Sequence, residues 1–306
     1  MAIDSELLAY YQGLGKSFTP LVADATAAAR RERYRAITDS LSPVNLNGMQ
    51  VVDLSIDLPG RTLKARSYSP QAYKPTKLLV FFHGGGWVIG DLESHHALCA
   101  DLSRALGILV LSIAYRLAPE HPFPAAHDDA VDAVRWCSDQ LLSFGCSELM
   151  VGGDSAGANL AAHASAHCQS IEGVAIAAQY LIYPVVAPDF STASYNSNAA
   201  GPGLTSADMQ WYWRTYCPEP QTLKTFSDPR INLLSQTWKI APPLTVLLTA
   251  GLDPLCDEGL AYAEFLAKAG APLRLIHAPD MTHGFIRLSS ASVAVRRWLQ
   301  QMVLPI

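Results

Sequence analysis

The chain has 306 residues, 50% of them hydrophobic and 16% charged, with a formal net charge of -5. So apolar a chain buries a large core, and an acidic balance without a basic cluster excludes a nucleic-acid partner. No apolar run reaches membrane-spanning length and the acidic start Met1-Ala2-Ile3-Asp4-Ser5-Glu6 lacks a signal-peptide layout, so the expectation is a cytoplasmic protein with no stable membrane association.

From the N-terminus, residues 5–14 and 23–40 read as helices. Residues 50–58 and 62–67 alternate as two strands around the turn Pro59-Gly60. Strands and helices then alternate, with strands expected at 78–82, 108–114, 149–151, 174–183, 244–250 and 273–277. The intervening helices are expected at 94–106, 126–144, 156–168, 257–269 and 291–303. The middle strands are apolar throughout, as a sheet covered on both faces requires. This alternation specifies an α/β fold with a mostly parallel central sheet flanked by helices. Residues 188–226 break the rhythm with Gly201-Pro202-Gly203-Leu204-Thr205 and the aromatic run around Trp211, Tyr212, Trp213 and Tyr216. A segment this long is expected to be functional. Together with residues 1–46 it reads as a helical cap on a catalytic domain spanning 47–306. Its aromatic stripe either lines a pocket or anchors the insertion, or does both.

Met150-Val151-Gly152-Gly153-Asp154-Ser155-Ala156-Gly157 is a short apolar strand running through G-x-S-x-G into an alanine-rich helix. That context makes it a nucleophile elbow, with the Ser155 hydroxyl lifted clear of the sheet edge at a helix N-terminus. A second glycine run, His83-Gly84-Gly85-Gly86-Trp87, follows the strand at 78–82. Attack by a serine on an ester leaves negative charge on the carbonyl oxygen, and bare glycine backbone can approach it with N–H donors. Gly84 and Gly85, with Ala156, are therefore expected to form the oxyanion hole. The loop is no phosphate cradle, because Trp87-Val88 stands where a P-loop needs Lys-Ser or Lys-Thr.

A serine needs a base, and the base needs a group to fix its tautomer. In a strand–elbow–helix hydrolase both follow the serine in the chain. Asp253 closes the run Leu247-Leu248-Thr249-Ala250-Gly251-Leu252 and precedes Pro254, whereas Asp257 and Glu258 suit the first turn of the next helix. His283, in a loop past the last strand, is favoured over His277 within that strand. His83 is expected to orient the glycine loop, and His95, His96, His121 and His127 to be structural. His163 and His167 have metal-ligand spacing, but the metalloprotease template fails without a Glu after His163. Cys99, Cys137, Cys146, Cys168, Cys217 and Cys256 fit neither a zinc site nor a disulfide framework. No metal is expected.

With these residues assembled, the chain resembles the hormone-sensitive-lipase-like family of α/β-hydrolase carboxylesterases. The matching motifs are HGGGW at 83–87, YRLAPE at 115–120, GDSAG at 153–157, DPLCDEG at 253–259 and HGF at 283–285. The resemblance implies an α/β-hydrolase fold with a helical cap and a carboxylesterase acting on short-to-medium acyl esters of small molecules, without a cofactor. It carries over Ser155, Asp253 and His283 as the triad and is compatible with a homodimer. Asp154 takes a supporting hydrogen-bonding role, and Tyr115 to Glu120 form a structural signature beneath the site. Trp87, Tyr183, Leu204, Met209, Trp211, Tyr212 and Phe285 are expected to line the substrate pocket. An amidase, formamidase or lactonase would share this machinery. A non-catalytic receptor of the same family would lack the histidine that stands here as His283.

Overall fold

At the Pro59-Gly60 turn the backbone takes a positive φ, 74° at Gly60, and folds strands β1 (Met49–Leu58) and β2 (Arg61–Pro70) into an antiparallel hairpin. The structure, a computed structural model, describes residues 2–18, 21–41, 43–218 and 228–303. Strand β2 pairs antiparallel with β4 (Leu109–Ala114), and every later pairing is parallel. The remaining strands are β3 (Lys77–Phe82), β5 (Glu148–Asp154), β6 (Ile176–Ile182), β7 (Leu244–Leu252) and β8 (Leu273–Thr282), in the spatial order β1-β2-β4-β3-β5-β6-β7-β8. This is the α/β-hydrolase sheet the sequence motifs imply.

The period-2 alternation of β3 serves both faces at once. Leu78, Val80 and Phe82 enter one core with helices α4 (Ala125–Asp139), α5 (Ala156–Cys168) and α8 (Cys256–Lys268). Leu79 and Phe81 enter the other, with α3 (His96–Leu106) and α9 (Val293–Gln301). Each fully buried side chain of this kind contributes about 1.5–3 kcal/mol, against under about 1 kcal/mol for an exposed ion pair. Packing rather than charge holds the body together.

Strand β3 leads to β4 on one side while β5 lies on the other, so the strand order reverses between β3 and β5. Phe82 at the end of β3 is register partner of Gly153 at the end of β5. In open parallel sheets ligands bind beyond the carboxyl ends at such a reversal. The glycine run after β3 and the elbow after β5 meet there.

Several elements differ from expectation at their ends. Helix α2 (Ala27–Asp39) begins at Ala27 rather than at 23, because Thr26 caps it by accepting from the Ala29 N–H at 3.2 Å. Strand β8 runs on to Thr282 despite Pro279; as an edge strand it has no outer neighbour needing the missing N–H. Helix α4 stops at Asp139, short of the expected 144. The insertion contains α6 (Ala193–Ser197) and α7 (Ser206–Tyr216), and its expected end at 219–226 lies outside the described residues.

The N-terminal helices are tied to this edge of the sheet. Helix α1 (Ser5–Ser17) docks on the last strand through Asp4 N–H to Asp280 C=O at 3.0 Å and a 2.8 Å bond between the Tyr11 and Thr282 hydroxyls. From α2, Arg30 pairs with Asp208 of α7 at 2.8 Å and lies over the Trp211 ring, 4.2 Å from its centroid. Arg31 donates to Glu120 and to the Val88 and Ala118 carbonyls. The insertion is fastened in turn: Asn198 Nδ2 donates to the Asp253 carbonyl at 3.2 Å and Ser194 Oγ to the Pro254 carbonyl at 2.7 Å.

Two glycines and one acid make checkable statements. A Cβ on Gly157 would fall on the Phe82 and His83 carbonyls, whereas one on Gly15, exposed in α1, would meet open space. Gly157→Ala is expected to lower unfolding stability by about 3 kcal/mol or more, and Gly15→Ala to raise it by about 0.5–1, both read from urea midpoints. Glu258 is 4% exposed and accepts from the Val186 N–H at 3.0 Å. Burial, reinforced by Asp253, pushes its carboxyl well above the usual range despite that bond. The neutral form fits the fold, so its contribution is complete below the ordinary glutamate range and is lost as pH rises through the raised pKa. Glu258→Gln should therefore melt higher than the parent at pH 8.5, with the gap closing by pH 4.

Candidate active site

Ser155 sits between β5 and α5 with φ 55° and ψ -121°, a region strained for any residue with a Cβ. The surroundings fix it there: its N–H donates to the Ile182 carbonyl at 2.8 Å, and its own carbonyl accepts from Ala158 at 3.0 Å. A Cβ on Gly153 would strike the backbone of Gly157. The two glycines of G-x-S-x-G are thus what lets the elbow close against the end of β3.

The three side chains singled out from the sequence lie together. His283 follows β8 directly, and its Nε2 is 2.8 Å from Ser155 Oγ. Its Nδ1 is 2.7 Å from Asp253 Oδ2. Asp253 is fully buried at the end of β7, and its other carboxylate oxygen accepts the Leu255 N–H at 2.9 Å. Nδ1–H donating to Asp253 leaves the Nε2 lone pair facing the serine hydroxyl. The competing acids are engaged elsewhere, Asp257 with the Ser194 N–H and Glu258 with Val186. His277 pairs with Thr249 at 2.9 Å, away from the serine.

The glycine loop corrects one expectation. The Gly84 N–H donates to Asp154 Oδ1 at 2.8 Å, so it is not available to an oxyanion. Gly85 and Gly86, not Gly84, line the cavity beside Ser155 and His283. Their φ values of 121° and 59° suit glycine, and a Cβ on Gly86 would fall on the Tyr212 ring. Nothing in HGGG shows which of its amides the neighbouring Asp154 takes.

Beneath the loop lies a buried polar layer. His83 Nδ1–H donates to the Gly84 carbonyl at 2.9 Å, and its ring stacks on Tyr115 at 4.3 Å. The Tyr115 hydroxyl donates to the His83 carbonyl at 2.7 Å. Burial, then neighbouring His95, pushes His83 down to about 4, so it stays neutral at physiological pH. His95, read as merely structural, has Nε2 3.1 Å from Asp154 Oδ1. Burial pushes the Asp154 carboxyl up, yet His95, the Gly84 N–H and the charge of Arg287 outweigh it and hold the group below the usual carboxylate range.

The serine opens into a cavity of about 310 Å³. Of the expected wall residues, Leu204, Met209 and Tyr212 line it. Trp87, Tyr183, Trp211 and Phe285 do not. Trp87 is fully buried, stacked on Tyr216 at 4.6 Å, and so anchors the insertion. Tyr183 packs on the His283 ring at 4.5 Å with Phe285 behind it, and Trp211 receives Arg30. The aromatic stripe of α7 therefore does two jobs, anchoring through Trp213 and Tyr216 and lining through Met209 and Tyr212. The missed wall residues come from the first two helices: Tyr10, Tyr11 and Leu14 of α1, and Tyr34 and Ile37 of α2. The paired tyrosines of α1 were the available signal. Arg287, Leu288 and Ile89 complete the wall.

A wider groove of about 950 Å³ between Arg61 and Arg230 contains His163 and His167 and lies apart from Ser155. There the His163 ring meets His127 edge-on at 5.2 Å. Among the described residues no three His, Cys, Asp or Glu groups are placed to hold a metal ion. The six cysteines are buried and free, and no described helix is long and apolar enough to cross a membrane.

Residues 79–287 match the sequence model of the family described as the alpha/beta hydrolase fold. The chain is 39% identical over 282 residues to the carboxylic ester hydrolase LipN of Mycobacterium tuberculosis, covering 88% of this chain and 72% of that one. It is 37% identical over 249 residues to an ethyl acetate hydrolase of Pseudomonas putida, covering 78% and 77%. A thermostable esterase from Pseudomonas putida superposes with a TM-score of 0.91 at 27% identity, over 98% of this chain and 95% of that one. The sheet, the motifs and these relatives agree: the chain belongs to the α/β-hydrolase fold family, as a hormone-sensitive-lipase-like carboxylic ester hydrolase.

Proposed function

We propose that this esterase works by a serine mechanism on short-to-medium acyl esters of small molecules, through an acyl-enzyme. The observation that carries the reading is the continuous chain Asp253–His283–Ser155, at 2.7 and 2.8 Å, opening onto a cavity that also presents Gly85 and Gly86. His283 Nε2 takes the hydroxyl proton as Ser155 Oγ attacks the carbonyl carbon, and Asp253 stabilises the imidazolium. The oxyanion takes hydrogen bonds from Gly85, Gly86 and Ala156. Ala156 opens α5, so its N–H has no partner within the helix. Collapse expels the alcohol, which receives the proton from His283. Water then attacks the acyl-enzyme with His283 again as base, and acid leaves. Ester plus water gives acid plus alcohol, a balance that calls on no cofactor.

Asp154 is a positioning residue in this scheme. By holding the Gly84 N–H it sets the direction in which the next two amides point. Residues 1–46 with 188–226 serve as the cap, because α1, α2 and α7 supply much of the cavity wall. At about 310 Å³ the cavity lies at the small end of the roughly 300–1,000 Å³ range for ligand pockets, in keeping with short-to-medium acyl chains.

Ser155→Ala is expected to lower 4-nitrophenyl butyrate turnover by about 10³-fold or more with the fold intact, and a fluorophosphonate should add its mass to the parent alone. Retained turnover in the variant would refute the serine assignment. Asp154→Ala should reduce kcat by about 10²-fold, the scale of losing an oxyanion donor, with little change in KM. A fall confined to KM would remove Asp154 from the positioning role.

A further inference from the structure

Four residues after His283, in the 3₁₀ turn Phe285–Leu288, Arg287 lines the same cavity as Ser155. It is the one lysine or arginine among the described lining residues, the rest being mainly aromatic, aliphatic or glycine. Its Nε donates to the Ser94 carbonyl at 3.3 Å and one Nη to Thr38 Oγ1 at 3.1 Å, while Tyr34 lies under the guanidinium plane with its ring centroid 4.1 Å away. These contacts immobilise the group. They also use only two of its five N–H donors.

No described carboxylate forms an ion pair with Arg287. The acid in the cavity wall is Asp154, whose Oδ1 is already taken by the Gly84 N–H and approached by His95. Burial disfavours the guanidinium charge, yet its neighbours, Tyr34 and Asp154 among them, outweigh that and keep the group charged beside the serine. A fixed planar fork with free N–H groups matches a carboxylate in geometry as well as charge.

The geometry points to Arg287 as an anion subsite: the substrates are esters carrying a carboxylate remote from the scissile bond, such as half-esters of short dicarboxylic acids or acyl esters of short hydroxy acids. This rests on the serine mechanism proposed above. The carboxylate seats on the guanidinium while the ester carbonyl lies at Ser155, so one end of the substrate binds by charge and the other reacts. A merely structural Arg287, clamping Thr38 and Ser94 and balancing Asp154, would confer no such preference.

The test compares matched pairs at fixed ionic strength: monomethyl glutarate with dimethyl glutarate, and 3-acetoxypropanoate with its methyl ester. The parent enzyme is expected to show at least a tenfold higher kcat/KM for the anionic member of at least one pair, the difference lying mainly in KM. Arg287→Gln should lower that anionic-to-neutral ratio at least tenfold, and Arg287→Lys should keep part of it. A parent that favours the neutral member of both pairs overturns the proposal, and this arm stands even where a variant fails to fold. An anionic preference that survives in Arg287→Gln likewise removes Arg287 from the subsite. Hydrolysis of neutral esters with no anionic preference would leave the serine mechanism standing, whereas no hydrolysis of any ester would sink both.

Discussion

The site depends on backbone lying against backbone where β3 and the β5–α5 elbow meet. Carbonyls of Phe82 and His83 occupy the space that a Cβ on Gly157 would need, and Gly153 is hemmed in by the same segment. That approach fixes Ser155 in a conformation of φ 55°, which an isolated residue would rarely adopt. It also brings the glycine loop alongside, because the residue after Phe82 opens that loop. The strain at the serine is held by interactions belonging to the sheet, including the bond from its N–H to Ile182.

Around this contact the polar groups form two linked sets. One runs from Asp253 through His283 to the serine; the other runs from Tyr115 and His83 to the glycine loop, where Asp154 and His95 meet it. The second set touches no reacting atom, yet its residues are nearly all buried. Polar groups so placed keep their geometry because losing a partner would leave an unsatisfied group in low dielectric. A loop of three glycines has little stiffness of its own, and this layer supplies it.

Much of the arrangement was legible in the residues because local chemistry and global fold agree. Alternation in the strands, the glycines around Ser155 and the position of Asp253 after an apolar strand each specify one local geometry. What escaped notice depends on direction in space. HGGG does not state which amide turns toward Asp154, so Gly84 was expected to face a substrate although its N–H is taken by that carboxylate. A tryptophan looks the same in the sequence whether it faces a ligand or the body, and Trp87 and Trp211 face protein. Tyr10 and Tyr34 were missed because helices far from the motifs in sequence reach the cavity only through the tertiary fold, and Arg287, close to His283 in the chain, because position alone does not say where a side chain points. The last strand, expected to end at 277, runs on through Pro279 because an edge strand has no outer neighbour needing the missing N–H.

The wall of the cavity and the reacting groups stand on different parts of the molecule. Ser155, Asp253 and His283 each follow the end of a sheet strand, while Tyr10, Leu14, Tyr34 and Ile37 project from the two N-terminal helices laid over that edge. Selectivity is consequently separable from reactivity: a lineage can reshape what it accepts by altering its first forty residues, without disturbing the strand ends that carry the proposed triad. Divergence among such enzymes should accumulate fastest in that leading segment and slowest at the sheet's carboxyl edge.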